Sequence, residues 1–239
     1  MPHPEKLAPW VVDAKDLKVN EILEQFQNSL FCVTTRIGKH FASGEKSEFL
    51  IVGPKGFGKT LLLKIKRLLL DGQSYTLLPR DALLDKPVGT PPVFSQKDND
   101  NLLRNPDYWT SIWLISIITT ILKDFHIHLP ELDNPAIYSL LSDPQLVSSC
   151  DIFDRILSTN RREYFSLRDA LHKVLVPHIR MIHKPTALFI DNVDEYFEGS
   201  IHFIGTSNRE HAFYADMWHH AQAGLASAAR ELNSINNHV

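Results

Sequence analysis

Residues Gly53 to Thr60, GPKGFGKT, have the types and spacing of a phosphate grip. Gly53, four variable residues, Gly58, Lys59 and Thr60 give the pattern G-x-x-x-x-G-K-[ST]. Glycines at 53, 56 and 58 accept positive φ and put no Cβ in the way. The loop can therefore close round a polyphosphate with its N–H groups pointing inward. A helix starting near Gly58 adds its positive dipole end. Lys59 supplies a point charge for the β- and γ-phosphates, and the Thr60 hydroxyl a ligand for Mg²⁺. On this reading Gly53, Pro54, Lys55, Gly56, Phe57, Gly58, Lys59, Thr60 and Leu61 line the nucleotide. The fixed positions alone recur by accident in roughly one chain in a hundred of this length. The flanks make accident rarer. Phe49 to Val52 predicts a buried strand before the loop, and Leu61 to Leu70 an apolar-striped helix after it.

The second chemical stretch is Ala187 to Phe197, ALFIDNVDEYF. Ala187 to Ile190 predicts an apolar strand that ends on Asp191. Asp194 and Glu195 follow. A strand that delivers a carboxylate at its end suits Mg²⁺–nucleotide chemistry in a P-loop fold. Asp191 is accordingly the Mg²⁺ carboxylate, bound to the ion directly or one shell out, with Thr60 as the other metal residue. Glu195, or Asp194, is the group that orients and deprotonates an attacking water. Taken alone, the stretch reads equally well as an ordinary strand and an acidic turn. The phosphate grip upstream favours the catalytic reading.

These stretches need a sheet and helices to hold them. At 239 residues the chain can bury one full core. Hydrophobic content of 44% and charged content of 22% suit a globular protein. The net charge of −3 gives no bulk preference for nucleic acid. The two cysteines, Cys32 and Cys150, form no C-x-x-C, which suits a reducing cytoplasm. No signal-peptide core precedes the fold. The uncharged run Tyr108 to Leu122 is too short for a membrane span and rich in hydroxyl residues, so it predicts a helix buried on most faces. His126 with His128, and His219 with His220, lack further ligands at metal spacing and read as surface residues.

In chain order, residues 1–46 predict a small helical leader, with helices at Asn20 to Phe26 and Cys32 to Phe41. Residues 47–239 predict the core. Asp71-Gly72 ends the helix after the phosphate grip. Ser74 to Leu78 predicts a second strand, and Pro79 to Asn101 a long Pro-rich loop. Asn105-Pro106 and Asn134-Pro135 each pair an N-cap with proline at the first helical position. Further helices are expected at Asp151 to Leu157 and, from a Ser166/Asp169 capping pattern, through about His178. Arg161 and Arg162 fall in a loop between them. Glu198 to His211 reads as a loop. Tyr214 to about Ile235 is a helix with Trp218, Ala221, Leu225, Ala228 and Leu232 on one face. Lys59 and Asp191 lie much further apart than the ~60 residues two βαβ units need. The excess forms a helical insertion over residues 105–180.

The pairing of GPKGFGKT with FIDNVDE resembles P-loop ATPases of the AAA+ and STAND groups. Asp191, Asn192, Val193, Asp194 and Glu195 form D-x-x-D-E, similar to the NACHT-type variant; a plain AAA+ protein has Glu where Asn192 stands. The layout also resembles large bacterial ATPases of phage-defence systems, such as the ATPase subunit of RADAR. The resemblance covers residues 48–71 and 186–197, and more loosely the helix at 214–235. It implies an α/β fold, a three-layer α/β/α P-loop NTPase with a parallel sheet. It also implies a homo-oligomer or larger assembly driven by ATP and Mg²⁺. A family sheet has five parallel strands, so the fold is expected to be incomplete here. The sensor residue, last strand and arginine finger would lie in a longer protein.

Three functions compete. The first is ATP hydrolysis that drives a conformational switch or assembly. Absence of N-K-x-D disfavours GTP, and absence of L-S-G-G-Q disfavours a transporter ATPase. The second is a nucleotide-binding interaction module without turnover. The third is an ATP-dependent DNA loader or helicase-like protein, for which Lys64, Lys66 and Arg67 offer some positive charge.

Overall fold

Asn105 and Pro106 start the helix that the described core is built round. The computed structural model describes residues 58–80, 82, 84–85, 102–127, 129, 134–191, 193 and 208–239, without side chains at 208–216 and 218. The chain divides into two compact units, residues 1–77 and 78–239. The described part is mostly helical, with a small two-stranded parallel sheet.

In the first unit, α1 runs Lys59–Leu70 and ends at Asp71, with Gly72 at φ 84°. That is the glycine-terminated helix end the sequence predicts. β1, Thr76–Leu78, carries the chain across the boundary between the units.

In the second unit, α2 spans Pro106–Asp124. The Asn105 side chain caps it by accepting from Asp107 N at 3.0 Å, and Pro106 occupies the first turn. Its buried residues lie all round the helix. Three of the buried hydroxyls tolerate this because they bond back to their own helix: Ser111 Oγ to Asp107 O, Ser116 Oγ to Ile112 O and Thr120 Oγ1 to Ser116 O. α3, Pro135–Ser142, is capped by Asn134 Oδ1, which accepts from Ala136 N and Ile137 N. Lys123 Nζ closes the other end, donating to Leu140 O at 3.2 Å and Asp143 O at 2.6 Å.

α4 covers Ser149–Leu157 and α5 covers Arg161–Ala170. Both starts differ from expectation. α4 opens earlier than Asp151 because Ser148 and Asp151 form a reciprocal capping box. Asn160, whose Oδ1 accepts from Glu163 N at 3.0 Å, caps α5. Ser166 is therefore an interior helical residue and no cap. Arg161 and Arg162 are the first residues of α5, not a loop. α5 passes through a wide π turn, Leu171–Leu175, into α6, Val176–Ile179. The wide turn lies just before Pro177, which has no N–H to close an ordinary turn.

β2, Thr186–Leu188, follows. Phe189 N donates to Leu78 O at 3.1 Å beside it. The last helix, α7, runs Asn208–Ile235 and so begins within the stretch expected to be a loop. Met217, Ala221, Gly224, Ala228 and Leu232 are its buried stripe, with Leu225 half-buried against the core. Trp113 and Phe153 stack at 4.0 Å between centroids, which joins α2 to α4. The described residues between 105 and 180 are thus mostly helical. The predicted leader over 1–46, the strand Phe49–Val52 and the side chain of Trp218 lie outside the described residues. No described helix is long and apolar enough to cross a membrane.

Candidate nucleotide site

Gly58 sits at φ 75°, ψ 20°, in the left-handed region, immediately before α1. A side chain there would be strained whatever space surrounds it. Its carbonyl accepts from Leu62 N at 3.0 Å, so the helix begins directly on the glycine. Gly58 has no side chain with which to cap this start, and the first turn holds no acidic residue. The first turn therefore contributes no carboxylate of its own beside the positive end of the helix, which suits an anionic ligand. Lys59, Thr60 and Leu61 form the first turn and are half-buried.

Further along α1, Lys64, Lys66 and Arg67 are buried. Burial pulls the Arg67 guanidinium below its ordinary value, with Asp71 acting in the opposite direction. These three charges therefore do not form a solvent-facing basic strip.

Asp191 stands just beyond β2 in the second unit and is 6% exposed. Its N–H donates to the Asp85 carbonyl at 2.8 Å. Asp85 N donates to Phe189 O at 2.7 Å, and Asp85 pairs in parallel with Ile190. The strand end that delivers Asp191 is therefore held by main-chain bonds on a neighbouring segment.

Of the expected site, the structure brings Gly58, Lys59, Thr60 and Leu61 together at one helix start. Asp191 belongs to the other unit. Gly53, Pro54, Lys55, Gly56, Phe57, Asp194 and Glu195 lie outside the described residues. Asp85 is the residue that sequence reasoning passed over. It lies in a stretch predicted to be loop, and only its place after Leu83 and Leu84 hinted at burial. Among the described residues no group of three or more His, Cys, Asp or Glu could hold a metal ion by itself. No family model matches the sequence, and no curated protein or solved structure matches the chain.

Proposed function

We propose that the chain binds ATP with Mg²⁺ and hydrolyses it, as a P-loop NTPase whose nucleotide state drives a conformational switch or assembly. One observation carries this reading: a left-handed Gly58 directly before a helix whose first residues are Lys59 and Thr60. That glycine lets the backbone turn into the helix without a side chain, and puts the first-turn N–H groups at the positive end of the helix dipole.

The residues have matching roles. Main-chain N–H groups of the Gly53–Gly58 loop would cradle phosphate oxygens, with Lys59 as the point charge. Thr60 Oγ1 and the Asp191 carboxylate are hard oxygen donors of the kind Mg²⁺ takes. Bound Mg²⁺ supplies charge neutralisation on the phosphates. Glu195, with Asp194 as the alternate, orients and deprotonates the attacking water. The buried strand-end position of Asp191 supports its part, because burial and main-chain bonds fix a carboxylate better than a mobile surface position does.

Phosphate release tests the proposal. Wild type should hydrolyse ATP only with Mg²⁺. Lys59→Ala and Asp191→Asn should each lower kcat/KM by about 100-fold or more, the scale of losing a positioned charge at a reacting phosphate. Glu195→Gln should keep nucleotide binding and lose turnover. A Glu195→Gln variant as fast as wild type would remove Glu195 from the mechanism. Absence of any turnover in the wild type would leave nucleotide binding without hydrolysis.

A further inference from the structure

We propose that Asp85 is a positioning residue for Asp191, and that it ties the strand end bearing Asp191 to the helical insertion. The inference rests on the ATP–Mg²⁺ reading for its functional meaning, and on main-chain geometry for its substance.

β2 is three residues long, and its bonding to β1 runs on only to Phe189 N, which donates to Leu78 O. Asp191 lies beyond that point. Its main chain pairs with Asp85, through Asp85 N to Phe189 O and Asp191 N to Asp85 O. The position of the Asp85 backbone therefore sets the position from which the Asp191 carboxylate projects.

Asp85 is fixed in turn by its own side chain. Its Oδ2 accepts from Ser149 N at 2.8 Å and Cys150 N at 3.3 Å, the first N–H groups of α4. The carboxylate is 2% exposed and sits at the positive end of that helix. Ser148 caps the same helix start from within the chain by accepting from Asp151 N, and Asp85 takes the two N–H groups that Ser148 leaves. Asp85 reaches this helix start from more than sixty residues away in sequence. A second cap from so far away is a tether: it pins the segment beside β2 to α4. Bonds from one residue then run both to the carboxylate-bearing strand end and to the insertion.

The test compares three variants at matched temperature below their unfolding transitions. Asp85→Ala removes the tether. Asp85→Asn keeps an oxygen that can accept both N–H groups. Ser148→Ala weakens the same helix start without touching the strand. The first readout is hydrogen exchange of the Asp191 amide, which is independent of turnover. Asp85→Ala should raise that rate on the order of 10-fold over both Ser148→Ala and wild type, while Asp85→Asn stays within about 3-fold of wild type. The second readout is ATP turnover: Asp85→Ala should lower kcat about 10-fold or more at nearly unchanged KM, with Asp85→Asn and Ser148→Ala close to wild type. Should Asp85→Ala fail to fold, Asp85→Glu moves the acceptor by one methylene and should act in the same direction on both readouts.

Equal Asp191 exchange in Asp85→Ala and Ser148→Ala would overturn the positioning role. So would an unchanged kcat in Asp85→Ala when Lys59→Ala abolishes turnover. An Asp191 amide that responds as expected in a protein without ATP turnover would uphold the tether and overturn the ATPase reading.

Discussion

The indole N–H of Trp113 donates to the Ala221 carbonyl at 3.0 Å, joining α2 to α7 inside the core. The contact is close because α7 presents small residues there. A Cβ placed on Gly224 would meet Trp109 Cβ at 2.6 Å and the Trp109 carbonyl carbon at 2.9 Å. Backbone atoms of α2 cannot swing aside as a flexible side chain can. Gly224→Ala should therefore destabilise the fold by about 1–3 kcal/mol, despite alanine's better helix propensity. Urea unfolding checks this, and a variant as stable as wild type would mean that the two helices pack less tightly than described.

Asn236 is a polar clamp at the end of α7. Its Nδ2 donates to Ile179 O at 2.6 Å and Ile182 O at 2.8 Å, and its Oδ1 accepts from His238 N. Both carbonyls lie at or just past the end of α6, and Ile179 O accepts from Ile182 N as well. His238 O in turn accepts from Thr186 N at the start of β2. Asn236→Ala should cost about 2–3 kcal/mol, because the clamp is buried and serves two carbonyls. Asn236→Asp should cost at least as much, since it removes both donors and adds a charge. Thermal unfolding of the two variants beside wild type measures this.

Stability should fall on the alkaline side. Burial, and then the charge of Asp85, push the Cys150 thiol well above its ordinary value. Burial first, then Tyr164, raises Tyr108; burial also raises Tyr164 against the pull of Ser111 and Arg168. All three are groups whose neutral form is the folded form. Above an unfolded thiol pKa of about 8.5, the unfolded chain loses a proton that the folded chain keeps, so stability falls as pH rises. The tyrosines add to the fall above about pH 10. Lys123 acts the other way, because burial lowers its value and folding then favours the neutral amine. Denaturant midpoints between pH 7 and 11 should decline, and Cys150→Ala should remove the part of the slope that begins near the thiol range. Midpoints that rise throughout would contradict the burial of these groups.

Much of the helical frame was legible because its signals are local. Asn105-Pro106 and Asn134-Pro135 put a cap and a compatible proline side by side, and both work as read. The uncharged run at 108–122 could only be a buried helix, and it is one. The start of α5 was misread because Ser166 and Asp169 match a capping pattern that Asn160 makes redundant. Residues in an established helix keep such patterns without using them. Of the candidate site, the glycine before a helix start at Lys59 could be read from spacing, and the burial of Asp191 from the apolar run before it. Asp85 was not legible, since its partners Ser149, Cys150 and Asp191 are distant in sequence and joined only by folding.

The account depends most on nucleotide held at the start of α1, and equilibrium titration measures that directly. A non-hydrolysable ATP analogue should bind the wild-type protein at one site per chain with Mg²⁺. Lys59→Ala should weaken that binding about 10-fold or more, on the scale of one charge-assisted contact of roughly 1.5–3 kcal/mol. A wild-type protein that takes up no heat from the analogue, or a Lys59→Ala variant that binds it as tightly as wild type, would contradict the account.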